Sequence, residues 1–241
     1  MQTSSVVNTD DTSWRVNGAN AYLMAFKTNS SVVYQIRAQH RSVEVLELIP
    51  ASFAGVLVTD RFVSYDAKIF SHLEQQKCVA HILKNLRDLL EKPQRGRSHE
   101  FPRKLRAVFK QALRVHQRFM TGLLDRVVFD REARGLKRRL DRLLAPRALS
   151  HQANVRMRKE LAWHHARGSL LRFLVNPVVS PTNNAAERAL RPAVIARKLS
   201  AGSKSERGAL AFSAFKTVIE TGKLSGVSGF KTLLALYDQS R

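Results

Sequence analysis

Three carboxylates lie in sequence surroundings that would let them bind a metal ion together. Asp10 follows a β-prone run that begins at Val6, and Asp60 ends the apolar run 55–59. The carboxyl ends of neighbouring strands meet at one edge of a sheet, so these two side chains are expected to converge. Glu187 lies at the predicted start of a helix of small residues. Carboxylates that meet raise each other's pKa unless a cation separates them, and Mg²⁺ prefers such oxygen ligands.

Each of the three also has an ordinary structural explanation. Aspartate is common where strands end, so Asp10 and Asp60 also fit as surface turn residues. Asn184 and Glu187 are spaced as a capping box, in which the glutamate only accepts a hydrogen bond from a backbone N–H at the helix start. A metal ligand and a turn or cap residue differ in where the side chain points. Position along the chain does not give that direction, so both alternatives remain open.

Basic side chains follow Glu187 along the same predicted helix. Arg191 is four residues on and shares its face, and Lys198 is about three turns on. Pro192 lies between them and removes a backbone hydrogen bond, which makes the alignment of Lys198 less certain. A carboxylate beside cations fits a metal ligand next to phosphate-binding groups, and it equally fits a surface ion pair of little energy.

The single cysteine, Cys78, forms the pattern Cys78-x-x-His81. One cysteine excludes an internal disulfide framework and supplies half of a four-ligand zinc pattern at most. We interpret Cys78 as a small buried apolar residue in a reducing compartment. For His81, both a core position and a position in a cleft remain open.

The formal net charge of +22 is concentrated in one segment. Residues 1–91 hold 9 basic and 9 acidic side chains, residues 92–172 hold 22 and 6, and residues 173–241 hold 10 and 4. A solvated helix face is the ordinary explanation of a charge run. However, so much positive charge repels itself unless a polyanion neutralises it, and nucleic acid is the usual partner. The sequence has no signal-peptide pattern and no apolar run of the ~18 residues that a membrane helix needs.

The hydrophobic pattern predicts an α/β protein with a helical middle segment. Apolar runs predict strands at 21–27, 31–36, 55–59 and 78–81, with a turn at Asn17-Gly18. Helices are predicted at 42–48 and 82–90, through the basic amphipathic stretch 103–142, at 203–221 with its end at Gly222, and at 228–237.

Four motifs, read in order, resemble the transposases of bacterial insertion-sequence family sixty-six. TDDTSWRVNG at 9–18 is similar to the first acidic motif, although Asp11 replaces the usual glutamate. GVLVTD at 55–60, followed by Tyr65-Asp66, is similar to the second, and Cys78-Val79-Ala80-His81 to the Cys-x-x-His motif that follows it. The closing motif is NNAAER at 183–188, and it continues in matches at Leu190-Arg191-Pro192, Arg197-Lys198, Gly208-Ala209 and Glu220-Thr221.

The resemblance implies a catalytic domain with a ribonuclease-H-like α/β fold. Such a fold has a mixed sheet flanked by helices, here with a basic all-helical insertion before the last catalytic helix. The implied parts are the first part of the core at 1–92, the insertion at 93–175, and the helices that complete the core at 176–241. Family members have a longer N-terminal region, so we expect this chain to be an N-terminally truncated catalytic domain.

The implied function is metal-dependent cleavage and strand transfer of DNA during transposition. Asp10, Asp60 and Glu187 would be the catalytic acids and would hold two Mg²⁺ or Mn²⁺ ions. Five residues of the last catalytic helix would contact DNA: Asn184, Arg188, Arg191, Arg197 and Lys198.

The expected partners are DNA at the element ends and at the target, other copies of the chain, and accessory proteins of the element. The expected location is the bacterial cytoplasm, at the nucleoid and away from membranes. Two alternatives remain. One is an inactive truncated remnant that binds DNA without catalysis, and the other is a nuclease or resolvase that cleaves without joining.

Overall fold

The computed structural model describes residues 3–91 and 96–239, which form two compact units. The first unit consists of Met1–Leu73 and Asn183–Arg241, and the second of Glu74–Thr182. The strands are β1 (Val6–Val16), β2 (Ala19–Lys27), β3 (Val32–Arg37), β4 (Val56–Thr59) and β5 (Glu74–Lys77). The helices are α1 (Ser42–Leu46), α2 (Val79–Glu91), α3 (Glu100–Met120), α4 (Arg126–Leu144), α5 (Gln152–Ala166), α6 (Arg172–Val175), α7 (Asn184–Ser200), α8 (Glu206–Leu224) and α9 (Gly229–Gln239).

A mixed sheet forms the centre of the first unit. Its strands lie in the order β3-β2-β1-β4, with β1, β2 and β3 antiparallel and β4 parallel to β1. The tight turn between β1 and β2 uses positive φ angles at Asn17 (49°) and Gly18 (76°), as the turn prediction requires. This helix-flanked sheet confirms the predicted α/β class and is the arrangement that the ribonuclease-H-like resemblance implies.

Helices cover both faces of this sheet. On one face, Trp14 and Leu23 of the sheet pack with Leu190 of α7. On the other face, Val7 and Phe26 pack in a separate cluster that includes residues of α1. Residues two apart on a strand share a face, so the even-numbered positions of β1 lie on the side that α7 covers.

The second unit contains β5 and helices α2 to α6. Apolar residues three and four apart on α3 and α4 are buried, as amphipathic helices require, while their other faces carry exposed Arg and Lys side chains. β5 belongs to this unit because the Lys77 N–H bonds to the Ser169 carbonyl at 2.7 Å and the Gln76 amide bonds to Leu170. The two units meet along the chain at 73/74 and 182/183. None of the described helices is both long and apolar enough to cross a bilayer.

Two element predictions are wrong. The predicted strand 78–81 is the end of a loop and the first turn of α2, because Val79, Ile82 and Leu86 are spaced to bury one helical face. Gly222 does not end α8, which continues to Leu224. A Cβ at Gly222 would lie 2.2 Å from Oγ1 of Thr232, so the glycine permits close packing of α9 rather than ending a helix.

Candidate active site

β1 and β4 bring two of the three carboxylates side by side. The two strands run parallel with Asn8 opposite Val58. Continued by two residues, this register sets Asp10 beside Asp60, and adjacent strands lie about 4.8 Å apart. Because residues two apart share a face, the Asp10 side chain lies on the side of the sheet that α7 covers.

Asp10 lies within β1 rather than at its end, so that expectation from the sequence is wrong. β1 continues to Val16 because it pairs with β2 along the whole hairpin, as far as Ala19. Its parallel partner β4 ends at Thr59. Parallel pairing ends at Asn8 opposite Val58, so Asp10 lies two residues beyond the last pair, as Asp60 does on the other strand.

Asp60 directly follows β4, as predicted, and the backbone orients its carboxylate. Oδ1 of Asp60 accepts a hydrogen bond of 2.8 Å from the Phe62 N–H. This bond has the i to i+2 pattern of an Asx turn. A carboxylate can accept several bonds, so the turn orients Asp60 and remains compatible with metal binding.

The side chain of Asn183 fastens the start of α7 to β1. Its buried Nδ2 donates to the Thr9 carbonyl at 2.6 Å, and Nδ2 of Asn8 donates to Oδ1 of Asn183 at 3.4 Å. Thr9 immediately precedes Asp10, so the first turn of α7 is held next to that carboxylate. Glu187 lies in this turn, and its N–H bonds to the Asn183 carbonyl at 3.1 Å.

The capping box that was an alternative for Glu187 does not form. The N-cap of α7 is Asn183 rather than Asn184, and no side-chain hydrogen bond caps the helix there. Glu187 is therefore the fourth helical residue, one position beyond the one from which a glutamate reaches back to the N-cap.

Asp60 and Glu187 both lie within electrostatic range of Asp10. Burial is the main cause that raises the pKa of the Asp10 carboxyl to about 7. A backbone hydrogen bond from Asp11 lowers this pKa, and the negative charges of Asp60, Asp11 and Glu187 raise it. A carboxylate that gathers with others away from water is expected to hold its proton in this way.

The predicted DNA-binding residues fall into two groups. Four are exposed on α7: Asn184, Arg188, Arg191 and Lys198. Arg197 instead donates from Nη1 to Oγ1 of Thr12 at 3.0 Å and to Ser13, so its guanidinium ties α7 to β1. The helix continues through Pro192 to Ser200, which keeps all five residues on one element.

The opposite face of β1 carries a polar cluster that sequence reasoning missed. Asp11 lies on the face opposite to Asp10, because successive residues of a strand alternate. Nδ1 of the buried His40 lies 3.1 Å from Oδ1 of Asp11, and the buried Tyr65 hydroxyl lies 3.2 Å from Oγ1 of Thr9. His40 lies outside every motif of the sequence, so no sequence signal pointed to it.

Cys78 and His81 lie at the start of α2 in the second unit. Cys78 is fully buried and is not part of a disulfide, which confirms the prediction of a small buried residue. His81 is half-buried. Neither residue has an assigned role.

The three carboxylates form a donor set that fits a hard divalent cation. They offer oxygen ligands, which Mg²⁺ and Mn²⁺ prefer. A bound cation would offset the repulsion that, together with burial, raises the pKa of Asp10.

Comparisons with known proteins extend these observations. No curated protein matches the chain. Among solved structures, the chain is similar to the integrase catalytic core domain of HTLV-2 in complex with magnesium, in its dimeric and trimeric forms. The identities are 12% and 13%, the matches cover 37% of this chain and 71% and 76% of those chains, and the TM-scores are 0.26 and 0.25. The family model described as "Transposase IS66 family" matches residues 1–211. The chain therefore belongs to the IS66 transposase family.

Proposed function

We propose that the chain is a transposase catalytic domain that cleaves DNA and transfers DNA strands in a metal-dependent reaction. One observation carries the proposal. Asp10 and Asp60 each lie two residues beyond the last pair of the parallel strands β1 and β4, and Asn183 fastens the helix that bears Glu187 to the residue before Asp10. Burial and the neighbouring charges at Asp10 support the same arrangement.

In this proposal Asp10, Asp60 and Glu187 hold two Mg²⁺ or Mn²⁺ ions. Metal ions at such a site supply an activated water or DNA 3′-hydroxyl and stabilise the leaving oxygen of an in-line displacement. The protein's own part is to position the three carboxylates and to release the proton of Asp10. The Phe62 N–H fixes the orientation of Asp60 before any ligand arrives.

The exposed polar residues of α7 bind DNA phosphate next to these carboxylates. Arg188 and Arg191 are suited to bidentate contact with phosphate oxygens, and Lys198 to a simpler charge contact. Asn184 offers an amide donor at the exposed start of the helix. Arg197 acts indirectly, because it holds α7 against Thr12 and Ser13 of β1.

The second unit contributes a basic groove between α3 and α4. This cavity of about 410 Å³ is lined by Lys104, Ala107, Arg139, Arg142, Leu143 and Arg147. Among these described residues there is no acidic side chain. Cations in a groove of this kind bind the DNA backbone and do not read bases. We therefore assign to the basic groove the retention of flanking DNA.

The partners in this proposal are the DNA of the element ends and of the target. Copies of the chain assemble as a homo-oligomer on that DNA in the bacterial cytoplasm. Gel filtration and light scattering, with and without element-end DNA, test this assembly. A chain that stays a monomer on DNA would contradict it.

Replacing Asp60 by asparagine tests the catalytic assignment. The substitution keeps the size of the side chain and removes a charged ligand, so Mg²⁺-dependent cleavage and strand transfer should fall at least about 100-fold. Binding of the same DNA should stay within about twofold of wild type, because the basic groove and α7 are unchanged. The reaction is followed on pre-cut element ends with Mg²⁺ or Mn²⁺.

The other outcomes separate the alternatives. An Asp60→Asn protein that still joins DNA ends would refute the assignment of the three carboxylates. A wild-type chain that binds DNA but joins nothing with either metal would be the inactive remnant. Cleavage without joining would identify a nuclease or resolvase.

A further inference from the structure

His40 is a buried histidine that the proposed mechanism does not use. It lies in the loop between β3 and α1, and 6% of its surface is exposed. The hydroxyl of Ser64 donates to its backbone carbonyl, which holds the loop against the segment after β4. Its ring lies on the side of the sheet opposite to Asp10.

The His40 ring contacts one residue close to Asp10 and one residue close to Asp60. On the β1 side, Nδ1 lies 3.1 Å from Oδ1 of Asp11, the residue that follows Asp10. This is an ion-pair distance, although its geometry is not that of a hydrogen bond. On the β4 side, the ring stacks on Phe62, with centroids 4.7 Å apart and planes 18° apart. The N–H of Phe62 is the donor that orients Asp60.

Tyr65 makes a third connection to the same strand. Its ring meets the His40 ring edge-on at 5.3 Å, and its hydroxyl lies 3.2 Å from Oγ1 of Thr9. Burial raises the pKa of this hydroxyl well above its ordinary value, so it stays protonated. The residues on both sides of Asp10 are thus in contact with the His40–Tyr65 pair.

We propose that His40 is a positioning residue that sets the spacing of Asp10 and Asp60 for metal binding. It acts through Asp11 on one strand and through Phe62 on the segment after the other. The inference rests on the proposed function, because it presupposes that these two aspartates share metal ions. Groups behind the direct ligands of a metal commonly orient those ligands and change metal affinity.

The contacts of His40 suit positioning better than stabilisation of the fold. Among the described residues, neither ring nitrogen of His40 has a hydrogen-bond partner. Replacing the imidazole by an apolar ring of similar shape therefore removes no hydrogen bond, so we expect a small change in stability. His40→Phe keeps the stacking on Phe62 and loses the contact with Asp11. Metal affinity should therefore fall in this variant while stability stays nearly unchanged.

Mn²⁺ titration calorimetry of the full chain at a fixed pH of about 8 tests the inference. We expect Kd for Mn²⁺ to rise about tenfold in His40→Phe while the melting temperature of the metal-free protein stays within a few degrees. His40→Asn, whose amide can replace Nδ1 beside Asp11, should recover part of the affinity. Adding Asp11→Asn to His40→Phe should cause little further loss, because both changes remove one contact.

The buried His164 of the second unit provides the matched control. His164→Phe should leave Kd for Mn²⁺ unchanged, whatever its effect on stability. Unchanged or tighter Mn²⁺ binding by His40→Phe would overturn the inference. If His40→Phe does not fold, Kd for Mn²⁺ is measured on His40→Asn and Asp11→Asn instead. An Asp11→Asn protein that binds Mn²⁺ as tightly as wild type would overturn the inference. Asp60→Asn separates the two proposals, because normal Mn²⁺ binding by that protein would refute the metal site itself.

Discussion

Burial and three nearby negative charges act in the same direction on the Asp10 carboxyl. Its pKa of about 7 means that the metal-free folded chain holds a proton there at a pH where the unfolded chain has released it. The folded state therefore binds more protons than the unfolded state between about pH 4 and pH 7. The contribution of this carboxyl to stability must fall as pH rises through that window and stay constant above it.

This linkage predicts a pH-dependent difference between wild type and Asp10→Asn. In the presence of a chelator, the variant should be more stable than wild type at pH 8, and the two should become similar near pH 4. The asparagine has no proton to lose, whereas Asp10 must ionise among its neighbours. Melting temperatures at pH 4, 5, 6, 7 and 8 measure the difference.

Mn²⁺ completes the test at Asp10. Added at pH 8, the ion should raise the melting temperature of wild type and leave that of Asp10→Asn nearly unchanged. If the difference in melting temperature between wild type and Asp10→Asn stays constant from pH 4 to pH 8, that result would contradict the raised pKa of Asp10.

At the scale of elements, two polar contacts determine where α7 lies on the sheet. Asn183 bonds to Thr9 at one end of the helix, and Arg197 bonds to Thr12 and Ser13 further along it. Between them, Leu190 packs against the sheet. The packing holds the helix on the sheet, and the polar contacts fix its position along β1, which decides how near Glu187 comes to Asp10.

The neighbouring asparagines Asn183 and Asn184 offer a matched pair of variants. Asn183→Ala removes a buried amide and leaves the Thr9 carbonyl without that donor, so it should cost about 1–3 kcal/mol of unfolding free energy. It should also reduce strand transfer, because Glu187 is no longer held beside Asp10. Urea unfolding and single-turnover joining measure the two effects.

Asn184→Ala changes an exposed side chain one residue away. Its stability should stay within about 0.5 kcal/mol of wild type. Any defect it has should appear in DNA affinity, since Asn184 is a proposed DNA contact. Equal stability losses in the two variants would contradict the role of Asn183 in fastening α7.

At the scale of the whole molecule, the two units differ in charge and in proposed task. The unit of Glu74–Thr182 carries most of the basic excess on α3 and α4, whereas the other unit carries the three carboxylates. A cluster of carboxylates repels a polyanion, so binding energy must come from cations elsewhere. In the second unit, the basic groove gathers four such cations, and no acidic side chain is among its described lining residues.

Salt dependence of DNA binding tests the basic groove. Measured on Asp60→Asn protein to prevent cleavage, Arg139→Gln and Arg142→Gln should each lower the slope of log K against log salt by about 0.9. They should weaken binding to unrelated sequences equally, because phosphate contacts carry no sequence information. Fluorescence anisotropy between 50 and 200 mM salt gives the slopes.

Arg131 is the matched control on the same helix. It is exposed on α4 but does not line the groove. Arg131→Gln should leave the slope nearly unchanged. Equal slopes for Arg131→Gln and Arg139→Gln would mean that exposed cations anywhere on α4 contribute equally to DNA binding. The groove would then have no special role.

Local patterns in the sequence determined the α/β class, the basic helices and the three carboxylates. Alternation and helical spacing act over a few residues, so β2, β4 and the helices of the middle segment could be predicted from them. The motif order predicted the family, which the family match confirms, and it pointed to Asp10, Asp60 and Glu187 as the proposed catalytic acids.

Tertiary structure alone decided where those side chains point. The length of β1 depends on pairing with β2, the N-cap of α7 depends on a bond to Thr9, and Arg197 is bound to β1 instead of standing beside Lys198 in solvent. His40 comes next to Asp11 only because β1 and a distant loop pack together. Such contacts join residues far apart in the chain, and local propensity carries no information about them.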